Sequence, residues 1–304
     1  MTLISLIGEQ PIPNILPALH LKPSRLVLIY TNRTKKQALN LEKFFNQKSQ
    51  PDTQIETVLI PIQNGYNLAE IADKLRPLLA TYEGVAFNLT GGTKPMALAG
   101  YQLAQEKAAP VLYLETEGKR SFLYKYQFPK PFALPNLSAP VELPELICID
   151  DYLNAFLPGY STVGFSKAEG GRFENAIYDA LNEHVDEQRA GIKPKGAGSQ
   201  IDIDLMVRIK NQVAVIEIKD KHPLDEPKKG IDQLNTIGGR EYLGIYTAKI
   251  LVSSTKLSSD IHALAKERKI EIIELLSFRT SKKISPKDQK QLIEAITGLL
   301  TPQE

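Results

Sequence analysis

Residues 85–104 read Val85-Ala86-Phe87-Asn88-Leu89-Thr90-Gly91-Gly92-Thr93-Lys94-Pro95-Met96-Ala97-Leu98-Ala99-Gly100-Tyr101-Gln102-Leu103-Ala104. A short apolar run, the pattern of a buried strand, gives way to glycines, threonines and a lysine and then to a helical pattern. Backbone N–H groups at a helix start are unpaired and carry the positive end of the helix dipole, so anions settle there. Glycines admit a ligand close to the backbone, threonine hydroxyls add donors and Lys94 adds a full charge. Pro95 suits a first helical turn. The stretch reads as a phosphate-holding strand-to-helix turn; a plain tight turn with a helix cap is the alternative. It matches neither the nucleotide P-loop nor the dinucleotide fingerprint.

Working outward, residues 2–7, 25–30, 54–60, 85–88 and 110–115 read as short buried strands, separated by helical patterns at about 13–20, 34–47, 67–81 and 95–107. Strict alternation of this kind implies parallel strands with crossover helices, a Rossmann-like doubly wound sheet. Ligands of such sheets bind beyond the carboxyl ends of the strands. Gly8-Glu9-Gln10-Pro11 with Ile12, Thr31-Asn32-Arg33, and Thr90, Gly91, Gly92, Thr93 and Lys94 all converge on that edge.

From about 127 to 165 the prolines Pro129, Pro131, Pro135, Pro140, Pro144 and Pro158 punctuate a stretch with little periodicity, expected as a connector. The domains are therefore expected at 1–126 and 166–304. In the second, helices near 170–185, 224–238, 258–268 and 286–300 alternate with strands at 201–209, 212–219, 246–252 and 270–275. This is an α/β domain with a mixed sheet.

At 304 residues, 42% hydrophobic and 24% charged, the chain has the composition of a soluble globular protein of two domains. Its net charge of +2 excludes a general polybasic surface, so nucleic acid would be met by local patches. The single cysteine, Cys148, forbids an internal disulfide and fits a cytoplasmic location. The N-terminal residues carry no basic leader, and no stretch approaches the roughly 20 apolar residues of a membrane span. The four histidines are dispersed, with no HExxH pair and no arginine at the spacing of a HEPN-type ribonuclease motif. Chemistry here rests on carboxylates and lysines.

Those carboxylates lie in Ile201-Asp202-Ile203-Asp204-Leu205-Met206-Val207-Arg208-Ile209, Lys210-Asn211, and Gln212-Val213-Ala214-Val215-Ile216-Glu217-Ile218-Lys219. If Lys210-Asn211 is a two-residue hairpin loop, Ile209 pairs with Gln212, Asp204 faces Glu217 and Asp202 faces Lys219. Alternation then puts all four charged groups on one face and Ile201, Ile203, Ile216 and Ile218 on the other. Directly opposed carboxylates repel unless a hard divalent cation sits between them. Lys219 is placed to orient a water or to neutralise charge on a scissile phosphate. A solvated charged hairpin face is the alternative, yet Ala214–Ile218 otherwise has the apolar character of a central strand. Glu174, opening a helix after Gly170-Gly171-Arg172-Phe173, offers a third carboxylate. Gln233 lies on the helix after the Glu-Ile-Lys strand.

Together these residues resemble the PD-(D/E)xK nuclease superfamily, in which a helix glutamate, a strand aspartate and (D/E)-x-K on the next strand occur in this order. Glu174, Asp204, Glu217 and Lys219 match that order, and Gln233 matches the glutamine often found on the following helix. No proline precedes the aspartate, and Asp202 stands where relatives often carry glutamate. The first half, with LIGEQPIPN, VLIYTNR and NLTGGTKPMALAGY, resembles a CARF domain, the sensor of cyclic oligoadenylates in type III CRISPR defence. GGRFE and LNTIGGR at 234–240 extend the likeness to the CRISPR-ancillary nucleases that join the two.

The resemblance implies a restriction-endonuclease-like second domain with Glu174, Asp204 and Glu217 as ligands of Mg²⁺ or Mn²⁺, and with Lys219, Gln233 and Asp202 completing the catalytic site. It implies a homodimer whose paired CARF domains bind one cyclic oligoadenylate, foremost cyclic tetra-adenylate, across the two-fold axis. It also implies activated cleavage of DNA, RNA or both. Other functions open at this stage are a restriction or repair nuclease with a non-sensing first domain, and a nucleotide-binding regulator with an inactive second domain.

Overall fold

Apolar runs buried on both faces belong to parallel strands covered by helices, and the first half builds such a sheet. The computed structural model describes residues 1–48, 55–117, 120–165, 171–195, 202–220, 226–239 and 242–301. Gln54, Gly170, Ile201, Arg240 and the first two residues of the 224–238 helix, used in the reading above, lie outside the described residues. The chain divides into two compact units, Met1–Leu146 and Ile147–Glu304.

The first unit runs β1 (Thr2–Leu6), α1 (Ile12–Leu21), β2 (Arg25–Thr31), α2 (Lys35–Lys48), β3 (Glu56–Ile62), α3 (Leu68–Thr81), β4 (Val85–Asn88), α4 (Lys94–Lys107), β5 (Val111–Glu117), β6 (Arg120–Gln127), β7 (Asn136–Leu137) and β8 (Val141–Glu142). The strand order is β3-β2-β1-β4-β5-β6-β7, with β8 also on β6. Strands β1 to β5 pair in parallel, and β6 returns antiparallel to β5. Ile4, Leu6, Val27 and Ile29 pack with Ile71 and Leu75 of α3 and with Met96, Ala99 and Leu103 of α4. Leu3, Leu26 and Leu28, which alternate with them, are equally buried. The order reverses at β1, with β2 and β3 to one side and β4 and β5 to the other. That places a crevice beyond the carboxyl ends of the strands at this switch point.

The second unit runs α5 (Ile149–Phe156), β9 (Tyr160–Thr162), α6 (Gly171–Leu181), β10 (Glu187–Pro194), β11 (Ile203–Ile209), β12 (Gln212–Lys219), α7 (Glu226–Ile237), β13 (Ala248–Ser253), α8 (Ser259–Glu267), β14 (Ile270–Glu274), α9 (Ser277–Ser281) and α10 (Pro286–Leu300). Its sheet, β14-β13-β12-β11-β10-β9, is mixed: β12, β13 and β14 are parallel, and β9 to β12 antiparallel. Lys210 takes the left-handed φ of 53° at the tight turn, and Ile209 pairs with Gln212 as counted from the sequence. Phe173, Ile177 and Leu181 of α6 and Leu292 and Ile296 of α10 bury one face, with Leu205, Val207, Ile216 and Ile218. Helix α7 packs on β12 and β13 from the side that carries Glu217. Both units are thus α/β, the first doubly wound and largely parallel, the second mixed.

The stretch 127–165, expected as a connector, carries short elements that join both units. Its prolines exclude long helices and central strands but not short edge strands. Residues 136–137 and 141–142 pair with β6, whereas α5 and β9 belong to the second unit. The boundary therefore falls at Leu146 and Ile147. Strands β6 and β10 were not anticipated. Among the described residues, no helix is long and apolar enough to cross a membrane.

Candidate functional site

The switch-point crevice holds a cavity of about 490 Å³ lined by the segments that follow four parallel strands. Gly8 and Glu9 come from the end of β1, Thr31 to Thr34 from β2, Gln63 to Tyr66 from β3, and Gly92, Thr93 and Met96 from β4 and the start of α4. Thr93 caps α4 by accepting from Met96 N at 3.2 Å, and its hydroxyl donates to the Gly65 carbonyl, tying the β3 segment to the turn. Arg33, mostly exposed, pairs with Glu9 at 2.5 Å. Gly92 adopts a φ of +77° and lies against Leu6, a conformation and an approach that a side chain would not tolerate.

Of the residues expected to hold the anion, Thr31, Asn32, Gly92 and Thr93 line the cavity. The others are placed differently. The Thr90 hydroxyl donates to Asn88 Oδ1 at 2.7 Å and accepts from Leu114 N at 2.8 Å, which stitches β4 to β5. Gly91 is required by packing, since a Cβ there would collide with the Leu6 carbonyl. Pro11 and Ile12 are buried at the start of α1. Gln10 has both side-chain polar atoms buried and without a hydrogen-bond partner. Lys94 is exposed and is not among the lining residues. The segment Gln63-Asn64-Gly65-Tyr66 was missed. Its signal is topological: β3 is parallel to β2, so whatever follows it arrives at the same edge.

In the second unit, the residues expected for catalysis are gathered at one place. Glu217 is 1% exposed, and Lys219 Nζ lies 2.6 Å from its Oε1. Asp204 Oδ2 accepts from Ile218 N at 2.7 Å, so the aspartate reaches across to the strand that carries Glu217. Burial and, next, repulsion from Asp204 raise the Glu217 carboxyl to about 8, against the pull of Lys219. Burial and Asp204 likewise raise Glu174 to about 7. Asp204 is raised by burial, opposed by the Ile218 hydrogen bond and by Lys219. Lys219 pulls all three carboxyls down, but burial and carboxylate repulsion outweigh it.

Glu174, Asp202 and Asp204 line a cleft of about 340 Å³ together with Gly164, Gly191 and Lys193. Gln233 Nε2 donates to the Asp202 carbonyl at 2.5 Å, a positioning contact with the backbone beside Asp204. Asp202, which the register sets opposite Lys219, forms its ion pair with Lys193 of β10, at 3.3 Å. The reason is that β11 has a second neighbour, β10, invisible to the hairpin count. Gly230 of α7 was also missed: a Cβ there would lie 3.3 Å from Glu217 Cγ and 3.4 Å from Lys219 Cε. A glycine inside a helix is the available signal, because it costs about 1 kcal/mol relative to alanine and so marks a close approach.

Residues 2–137 match the family model described as the Card1 CARF domain. Over 99% of its length the chain is similar in structure to 99% of Can2 from Sulfobacillus thermosulfidooxidans, solved in complex with cyclic tetra-adenylate, with a TM-score of 0.75 and 15% identity. Protein VC1899 from Vibrio cholerae follows at a TM-score of 0.73 and 14% identity, over 98% of this chain and 97% of that one. A type III CRISPR defence DNA nuclease activated by cyclic oligoadenylate matches 84% of this chain at a TM-score of 0.59 and 20% identity, and the match spans 45% of the nuclease. No curated protein matches the chain in sequence. At these identities the likeness to solved structures is one of fold, and the chain has the two-unit α/β fold of Can2.

Proposed function

We propose that the protein is a metal-dependent nuclease of type III CRISPR defence that is activated by cyclic oligoadenylate. The observation that carries this reading is the gathering of Glu174, Asp204, Glu217 and Lys219 at one end of the central strands β11 and β12, in a chain whose residues 2–137 match a CARF family model. A structural ion pair alone would not account for three mutually repelling carboxyls there.

The donor set fits a hard divalent cation. Mutual repulsion contributes to the raised carboxyls, and a cation of the Mg²⁺ or Mn²⁺ class relieves it. Among the described residues, no three carboxylate, imidazole or thiol groups stand together as a ready metal cage. An ion of this class needs only one or two carboxylates, its shell being completed by waters and a substrate phosphate. Asp204 and Glu217 are the residues that would hold it, with Glu174 within electrostatic reach of both. Once bound, such an ion supplies a nucleophile from water and polarises the phosphate. Lys219, fixed by Glu217, orients the attacking water and offsets charge on the phosphate, while Gln233 holds the backbone at Asp202.

In the first unit, the 490 Å³ cavity is the proposed activator site. Thr93 and the start of α4 face a phosphate, Arg33 adds a cation, and Tyr66, 72% exposed, offers a stacking face to an adenine. A cyclic tetra-adenylate with two-fold symmetry would be shared by two copies, which makes the active species a homodimer. Activation follows if the ring binds the cutting arrangement more tightly than the resting one.

Incubating purified full-length protein with Mg²⁺ or Mn²⁺ and labelled single- and double-stranded DNA and RNA, with each cyclic oligoadenylate in turn, tests the reading. Cleavage that needs both metal and one ring size is the expected result. No cleavage under any combination would refute it.

A further inference from the structure

We propose that Lys193 is a substrate-binding residue of the second unit, holding a backbone phosphate of the nucleic acid beside the carboxylates; this rests on the nuclease reading above. Strands β10 and β11 are antiparallel, with Ala190 opposite Leu205 and Ile192 opposite Ile203. The same count sets Gly191 opposite Asp204 and Lys193 opposite Asp202. Alternation therefore puts Gly191 and Lys193 on the face that carries the two aspartates. Strand β12, on the other side of β11, places Lys219 against Glu217. The carboxylates are thus flanked by a lysine on either neighbouring strand.

The two lysines differ in kind. Lys219 is held by a buried carboxylate, whereas Lys193 and Asp202 form a pair with side chains 49% and 45% exposed. An exposed pair of this sort is weak and screened by salt, so the ammonium can exchange a carboxylate for a phosphate without leaving a buried charge unpaired. Among the described residues that line the cleft, Lys193 is the one cation, facing Glu174, Asp202 and Asp204. A polyanion approaching those carboxylates meets repulsion that this cation offsets. A lysine on a flexible stem suits a phosphate as a point charge.

The wall of the cleft beside Lys193 is built into the strand. Gly191 has a φ of +60°, and the Gly164 backbone packs where its Cβ would stand, so the strand accepts the Gly164 segment directly against it. Both glycines line the cleft. The strand thus brings Gly191 to the cleft that Asp204 lines and sets a cation two residues further on.

The test uses the full chain with cyclic tetra-adenylate present. Binding of a fluorescein-labelled oligonucleotide, as single- and double-stranded DNA and RNA, is measured against salt concentration in a Glu217→Gln background that holds substrate uncut. Lys193→Ala should weaken binding about tenfold, as expected for loss of a charge-assisted contact. It should also make the slope of log affinity against log salt shallower by about one. Lys193→Arg should restore both. In the otherwise unsubstituted enzyme, Lys193→Ala should raise KM far more than it lowers kcat, with an unchanged melting temperature. If the unsubstituted chain cuts but Lys193→Ala leaves salt slope and KM as they were, the assignment of Lys193 falls and the nuclease reading stands. A chain that neither binds nor cuts nucleic acid overturns both.

Discussion

Glu217 and Lys219 share one face of β12, and the lysine ammonium lies 2.6 Å from a carboxylate that is 1% exposed. The pair does not bring Glu217 down to the ordinary carboxylate range, because burial and Asp204 outweigh the lysine and hold it at about 8. A buried pair so poorly balanced costs stability in the resting protein. It makes sense where a cation arrives to complete it.

Asp204→Asn and Glu217→Gln should each lower cleavage by roughly 10²-fold or more while preserving the fold and activator binding, since each removes an anionic oxygen without opening a cavity. Cleavage assays with circular dichroism check this. Cutting at the unsubstituted rate by either variant contradicts the ligand assignment.

The raised carboxyls carry a pH signature. Glu217 titrates near 8 and Glu174 near 7 in the folded chain, above the usual 4.5 of an unfolded glutamate. Between pH 4.5 and 8 the folded state therefore holds the extra protons, and the stability these two groups contribute falls as pH rises. The melting temperature of metal-free protein should decline from pH 6 to pH 8, and Glu217→Gln should flatten the decline. Metal affinity should rise over the same window, because the ligands must be deprotonated. A melting temperature that rises with pH in both proteins would contradict the coupling.

Gly230→Ala adds a Cβ 3.2 Å from Leu251 Cδ1 and 3.3 Å from Glu217 Cγ. The helix gains about 1 kcal/mol of intrinsic propensity, which the crowding offsets, so stability should change little while kcat falls. Gly230→Val should lose both. Chemical denaturation with single-turnover kinetics separates the two effects.

Thr93→Val removes an N-cap, worth about 1 kcal/mol, and also frees the Gly65 segment from the turn. Arg33→Ala removes a cation lining the same cavity. Calorimetric titration with cyclic tetra-adenylate should show both weakened about tenfold, whereas Lys94→Ala, outside the lining, should change affinity less. Equal affinities in all variants would move the activator site elsewhere.

The hairpin at Lys210-Asn211 shows what was legible. A two-residue turn and strict alternation were enough to number the register, and the reach of Asp204 to the Ile218 amide follows from it. Strand β10 was not legible, because Glu187–Pro194 mixes charges, a glycine and a proline and becomes a strand only by pairing with β11. Gly191 and Lys193 were hidden with it. The burial of the carboxylate face was hidden too, since it depends on how closely α7 approaches at Gly230. In the Thr-Gly-Gly-Thr-Lys turn, composition signalled a ligand, but tertiary packing divides the residues. Thr90 and Gly91 secure the turn to its neighbours, and Gly92 and Thr93 face the cavity.

That one chain both senses a cyclic oligoadenylate and cuts nucleic acid is tested most directly by single-turnover cleavage. Full-length protein in Mg²⁺ or Mn²⁺ is compared at zero and saturating cyclic tetra-adenylate, beside an Asp204→Asn chain prepared identically. The expected result is a rate raised by roughly 5- to 150-fold on adding the activator, the range of an ordinary allosteric coupling, and no cleavage by Asp204→Asn. Equal rates with and without activator, or cutting by Asp204→Asn that matches the unsubstituted chain, would contradict the account.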